Sequence, residues 1–216
     1  MTEDSPRTAA GLKARLRKLV PYSLLKQRDI ILRLGPAGRT YVRLRLLDTL
    51  GLRASNPRLV PSSARSFLFV CFGNIMRSAM AEFLMRQALD ECGSTGHVQI
   101  TSAGLHAIAG RVAHPWAQQA SAELGISLAQ HRAKPLTPAT VQQADCILAM
   151  DFQNKAELLT RYPEARNRIY MLSSYGERPW RNREISDPYL GDLEVTRLCA
   201  RQLQICIRSL ISTLRL

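Results

Sequence analysis

Cys71-Phe72-Gly73-Asn74-Ile75-Met76-Arg77-Ser78 decides how this 216-residue chain is read. Before it runs Phe67-Leu68-Phe69-Val70, a continuous apolar stretch with the pattern of a strand buried on both faces. After it, Ala79 to Met85 is rich in helix formers, and Met80, Phe83, Leu84 and Ala88 recur at helical spacing. The octet is therefore the loop of a strand–loop–helix unit. Such a loop aims its backbone N–H groups at one point, and the helix N-terminus adds its positive end to the same point. The spacing predicts an anion site.

A cysteine that opens such a loop sits in this field, which favours thiolate over thiol and makes the sulfur a nucleophile. Arg77, six residues on, carries a planar fork that matches two phosphate oxygens. Ser78 can donate its hydroxyl back to the sulfur. Gly73 lets the backbone curl tightly, and Asn74 can hold a left-handed turn and brace the loop with its amide. Together these parts form a covalent phosphate-handling site. The bland alternative is a buried structural cysteine beside a chance arginine. None of the other four cysteines has an Arg six residues later.

Cys71-x-Gly73-Asn74-x-x-Arg77-Ser78 resembles the signature loop of the low-molecular-weight protein tyrosine phosphatases. Two positions depart from it: Met76 stands where members usually carry a second cysteine, and Ala79 where they carry a proline. The resemblance runs over about residues 66–216. It continues through Thr101-Ser102-Ala103-Gly104, Gly125-Ile126-x-Leu128-x-x-His131-Arg132-Ala133, Ala144-Asp145-x-Ile147-Leu148-x-Met150 and Asp187-Pro188-Tyr189. It implies a four-stranded parallel sheet flanked by helices.

It also implies roles. Cys71 is the nucleophile that forms a phosphocysteine. Arg77 and the loop from Phe72 through Gly73, Asn74, Ile75 and Met76 hold the phosphate oxygens, with Ser78 at the sulfur. Asp187 is the general acid and base. Asn74, Ser78, Ser102 and His131 brace the loop. No cofactor or metal is implied, because the loop supplies the positive charge a metal otherwise would. Ile108 and Tyr189 would wall the cleft, and an aliphatic wall still packs a phenyl ring, so phosphotyrosine leads as substrate. Gly104-Leu105-x-Ala107-Ile108-x-Gly110 looks like the bacterial members tied to exopolysaccharide export, whose partners are tyrosine kinases with tyrosine-rich tails.

Two alternatives stay open. Arsenate reductases share the fold and loop, but need two further cysteines after the third strand, where this chain has Met150-Asp151-Phe152-Gln153-Asn154. A module that only binds phosphotyrosine would not need Cys71, Arg77 and Asp187 together.

Composition sets the frame. The net charge is +13, but it is uneven: residues 1–66 carry 14 Lys/Arg against 4 Asp/Glu, the rest 16 against 13. The basic character belongs to an N-terminal extension, so it says little about the catalytic part. Five cysteines without metal-ligand spacing argue against a disulfide framework, and a reducing, cytoplasmic setting suits a working thiolate. No apolar run approaches a membrane span, and no signal-peptide core opens the chain.

The chain divides into a basic extension (1–54), a Pro/Ser linker (55–65) and the phosphatase-like domain (66–216). Residues 1–7 read as disordered and Thr8 to Val20 as a basic amphipathic helix. Leu24 to Leu52 is apolar and Arg-rich. Val42 to Leu46 alternates like a strand, but Val42, Leu46, Leu47 and Leu50 also fit a helix, which its length favours. Gly35 to Thr40 reads as a turn. Strands are expected at Val98–Thr101, Asp145–Met150 and Arg168–Leu172, and helices at Pro115–Leu124, after the third strand to about Arg161, and at Leu193–Leu214. Strands alternating with helices predict a doubly wound, Rossmann-like α/β sheet with the site at strand carboxyl ends. Three readings of the extension compete: a helical appendage packed on its own domain, a peripheral anchor on an anionic membrane or export complex, and nucleic-acid binding. The last has no recognition motif behind it, so no nucleic acid is expected. All three imply that deletion through Arg65 leaves turnover of a small aryl phosphate largely intact.

Overall fold

Five of the six side chains of the strand Ser66–Cys71 (β1) are buried, as a continuous apolar run requires at the middle of a sheet. The structure, a computed structural model, describes residues 22–52, 59–93, 98–179, 181 and 183–215. The helix expected over Thr8–Val20 and the first part of the linker lie outside those residues. β1 pairs in parallel with Gln99–Gly104 (β2) on one side and Cys146–Ala149 (β3) on the other. Ile169–Met171 (β4) completes the order β2-β1-β3-β4. After β2 the chain crosses back over β1. Loops therefore part at the carboxyl end of β1, the place where open α/β sheets bind ligands.

β2 runs three residues further than the expected Val98–Thr101, so Ser102, Ala103 and Gly104 are strand residues and not the loop after it. Partnership with Phe69, Val70 and Cys71 extends the ladder beyond the most apolar residues.

Alternate residues of the sheet enter two cores. Phe67, Phe69, Ile100, Cys146, Leu148 and Tyr170 face one side. There they meet the helices Arg77–Glu91 (α3), Pro115–Ala122 (α4) and Leu193–Leu214 (α7). Leu68, Val70, Ala103, Ile147, Ala149 and Met171 face the other, where Phe152–Arg161 (α6) packs. A short helix, Pro138–Gln143 (α5), escapes periodicity because it is only six residues long, but Thr137 and Thr140 form its capping box.

The Leu24–Leu52 segment is helical. It forms Tyr22–Leu34 (α1) and Gly38–Thr49 (α2), joined by one turn of 3-10 helix. A Cβ at Gly38 would stand 2.8 Å from the Ile31 carbonyl oxygen, so glycine permits the close approach of the two helices. Leu34, Ala37 and Tyr41 are buried in the second core beside Phe152 and Leu158. The pair therefore lies on the α6 side of the sheet and packs chiefly against α6 itself. The stripe expected to hold α2 is mostly not the one it buries: Val42, Leu46 and Leu50 are exposed, and Tyr41 points inward. The later part of the expected linker is packed as well: Val60 and Ala64 are buried, and Val60 N donates to Tyr175 Oη at 2.7 Å.

Candidate active site

The loop after β1 is held from outside by its carbonyl groups. Cys71 O accepts from Leu105 N at 2.9 Å, Phe72 O from His106 N at 2.8 Å and Ile75 O from His114 N at 2.9 Å. Asn74 O lies 2.7 Å from His131 Nε2. A carbonyl only accepts, so that ring nitrogen carries the proton. Turning these oxygens outward turns the peptide N–H groups toward the sulfur, and Asn74 N donates to Cys71 Sγ at 3.3 Å. α3 begins at Arg77, so its N-terminus closes the ring. The result is a cradle of donors for a tetrahedral oxyanion.

Asn74 is the centre of the bracing. Its φ is +53°, a conformation asparagine tolerates. It is fully buried, and its amide spends both donors and its acceptor. Nδ2 donates to Ser78 Oγ and to Ser102 Oγ, each at 2.8 Å, and Oδ1 accepts from Lys134 N at 2.8 Å. Ser78 Oγ stands 3.0 Å from Cys71 Sγ. That hydroxyl accepts from Asn74, and its own proton can go to the sulfur or to Ala103 O at 3.4 Å, the sulfur being the nearer. Ser102 Oγ donates onward to Glu82 Oε2 at 2.5 Å, and Arg86 pairs with Glu82 Oε1.

β2 closes against the loop through Gly104. A Cβ there would lie 2.8 Å from Asn74 N, Phe72 O and the Ala107 Cβ. No side chain fits.

Arg77 is 2% exposed. Its Nη1 donates to Asp151 Oδ2 at 2.5 Å and to Ile185 O at 3.0 Å, and its Nη2 donates to Asp187 Oδ2 at 2.6 Å. Burial alone would lower its pKa, but Asp151 and Asp187 outweigh it and raise the pKa above the ordinary arginine value. Asp151 is fixed, since its Oδ1 caps α6 by accepting from Asn154 N. Asp187 lies on the loop before α7.

The rim is aromatic and apolar. Phe72 is half-exposed and stacks on His106 with centroids 4.6 Å apart. Tyr189 is half-exposed and meets His114 edge-on at 5.8 Å. Ile108 is exposed on the segment between β2 and α4, and the loop's own Ile75 and Met76 are buried.

The structure thus brings Cys71, Asn74, Ser78, Ser102 and His131 into one hydrogen-bonded set, and Arg77 to Asp187. Sequence reasoning missed Glu82 and Asp151. Both look like ordinary helix-surface or helix-cap carboxylates in sequence, and only burial beside Ser102 and Arg77 marks them. Cys146 lies inside β3 with its thiol pushed up by burial, away from the loop between β3 and α6. Among the described residues no three His, Cys, Asp or Glu side chains gather as metal ligands.

Comparison with known proteins places this arrangement. The family described as low molecular weight phosphotyrosine protein phosphatase matches residues 66–215. A probable low molecular weight protein-tyrosine-phosphatase, EpsP, of Ralstonia nicotianae is 37% identical over 129 residues, 60% of this chain and 81% of EpsP. A protein-arginine-phosphatase of Bacillus subtilis is 30% identical over 148 residues, 68% of this chain and 95% of the relative. The crystal structure of the low molecular weight protein tyrosine phosphatase from T. tengcongensis superposes with a TM-score of 0.63 at 33% identity, covering 69% of this chain and 99% of that one.

Proposed function

We propose that this chain, which belongs to the low molecular weight phosphotyrosine protein phosphatase family, hydrolyses phosphotyrosine through a phosphocysteine on Cys71. The observation that carries the reading is the convergence of a donor-lined cysteine loop with Arg77, itself in contact with Asp187. In the first step the Cys71 sulfur attacks phosphorus in line. The S–P bond forms, the P–O bond to the aryl group breaks, and Asp187 gives its proton to the departing oxygen. Arg77 and the loop N–H groups hold the three equatorial oxygens as charge spreads over them. In the second step water attacks phosphorus, Asp187 takes its proton, and the S–P bond breaks to release phosphate. Ser78 stabilises the sulfur as it leaves.

The rim supports an aryl substrate. Phe72, Ile108 and Tyr189 offer flat or aliphatic surface to a phenyl ring. The Bacillus relative motivates a second reading, a phosphoarginine substrate. A guanidinium needs acceptors for its N–H groups; beside Asp187, the exposed side chains Phe72, Ile108 and Tyr189 offer mainly flat or apolar surface. The substrate protein is proposed to be a bacterial tyrosine kinase or polysaccharide-export phosphoprotein.

The test is direct. Wild-type protein should hydrolyse para-nitrophenyl phosphate and a phosphotyrosine peptide, and act far more slowly on a phosphoarginine peptide. Cys71→Ser should lose more than roughly 99% of turnover, because a serine hydroxyl is not ionised at neutral pH, yet still bind phosphate. Faster turnover of phosphoarginine would reverse the substrate assignment. Substantial turnover by Cys71→Ser would remove the covalent mechanism.

Peripheral membrane contact is proposed for the extension. Its helices expose Leu32, Val42, Leu46 and Leu50 within a strongly basic segment. Among the described residues no helix is long and apolar enough to cross a membrane. Co-sedimentation of the full chain with anionic liposomes at low salt, lost at high salt, checks this contact.

A further inference from the structure

We infer that Arg45, in the N-terminal helical pair, is a positioning residue for the loop that carries Asp187; this rests on the phosphatase reading above. Arg45 Nη2 lies 2.7 Å from Glu184 Oε2, an ion pair between α2 and the segment three residues before Asp187. The other oxygen of Glu184 accepts from Phe152 N at 2.7 Å. Phe152 follows Asp151, the fixed partner of Arg77. Ile185, next to Glu184, donates its N–H to Met150 O at 2.9 Å and accepts from Arg77 Nη1 at 3.0 Å. One carboxylate, paired on its other oxygen with the extension, thus ties together the two stretches, 150–152 and 184–187, that grip the phosphate-site arginine.

Arg45 is itself held. Its Nε donates to Tyr41 Oη at 3.0 Å, and Tyr41 donates to Gln27 Oε1 of α1 at 2.8 Å. Its guanidinium stands over the Phe152 ring at 5.2 Å and the Tyr41 ring at 5.4 Å. Tyr41 is 1% exposed, so the fork is aimed from a rigid base. Without Arg45, the Glu184 carboxylate, only 19% exposed, loses its cationic partner. The segment leading to Asp187 then keeps its bonds to Phe152, Met150 and Arg77 but loses the one that ties it to α2, and Asp187 is held less firmly over the leaving group. The expectation that removal of the extension leaves turnover intact changes accordingly: it should hold for good leaving groups and fail for poor ones.

The full chain with Arg45→Ala should lose roughly ten-fold in kcat on phenyl phosphate, whose leaving group needs a proton, and less than about two-fold on para-nitrophenyl phosphate. Inhibition by inorganic phosphate should stay within about two-fold, since the cradle and Arg77 remain. Arg45→Lys should recover part of the loss. Arg43→Ala, an exposed arginine on the same helix, should match wild type. Arg45→Ala added to Glu184→Gln should cost little more than Glu184→Gln alone, because the two act as a pair. Should Arg45→Ala fail to fold, Arg45→Lys and Glu184→Gln carry the same leaving-group comparison. Equal losses on both substrates, no loss, or additive losses would overturn the inference and leave the phosphatase reading standing. A wild-type protein no more active than Cys71→Ser would remove both.

Discussion

Arg77 Nη2 and Asp187 Oδ2 share a hydrogen bond of 2.6 Å, so the cation proposed to bind phosphate and the carboxyl proposed to move the proton touch each other. The same guanidinium holds Asp151. The two carboxylates differ in freedom. Asp151 is 10% exposed and caps a helix, whereas Asp187 is 43% exposed on a loop. Only Asp187 can turn from the arginine to a leaving oxygen without breaking the fold. Asp151 fits a fixed counter-charge that aims the Arg77 fork.

That difference separates two variants. Asp187→Asn should slow hydrolysis most for aryl phosphates with the highest leaving-group pKa, steepening the dependence of kcat on that pKa. Asp151→Asn should weaken phosphate inhibition and lower turnover alike for all leaving groups. Equal loss across the series for Asp187→Asn would take it out of the acid role.

Gly104→Ala places a methyl group 2.8 Å from Asn74 N and Phe72 O. Both are backbone atoms of the loop and cannot swing aside. The substitution should cost about 1–3 kcal/mol of stability and reduce turnover with every substrate. Denaturant unfolding and kcat together check it.

His131 makes stability depend on pH. It is 3% exposed, and burial lowers its pKa below the ordinary value. Below about pH 6.5 the unfolded chain binds a proton there that the folded chain does not. Its contribution is fully present above that pH and is lost as the pH falls toward the folded value. His131→Gln, which keeps a donor for Asn74 O but does not titrate, should therefore lose less stability than wild type between about pH 7.5 and 5.5. Parallel melting curves across that range are the measurement.

Oxidation of Cys71 should be hard to reverse. Met76 occupies the loop position where a second cysteine would trap a sulfenic acid as a disulfide. Cys199 lies within electrostatic reach of Cys71, but burial pushes its thiol up to about 12, so it is protonated and slow to attack. Brief peroxide should leave a Cys71 sulfinic acid, visible by mass, with little activity restored by thiols. Full recovery would identify a resolving cysteine, and Cys199→Ala would name it.

The strand–loop–helix unit and its octet were legible in the sequence because they are local. An apolar run, a glycine, an αL-tolerant asparagine and a helical stripe each act within a few residues, and the parallel sheet followed from their alternation with further strands. α7 could be placed to its last residue for the same reason: its apolar period is unbroken over 22 residues. Ser102 and His131 could be named as braces only because their motifs resemble a family's; nothing in their own surroundings marks them.

The tertiary structure alone marked Asp151 and Glu82, and showed where the extension packs. Asp151 and Asp187 reach Arg77 across 74 and 110 residues, and Ser102 reaches Glu82 across 20, through crossovers that periodicity does not register. The inward face of α2 depended on α6 and the Glu184 segment beside it. Val42, Leu46 and Leu50 form the more apolar stripe, but Tyr41 and Arg45 meet Phe152 and Glu184, and that pairing sets the orientation of the helix. Hydrophobic pattern fixes which elements form; partners distant in sequence determine which of their faces and charges are used.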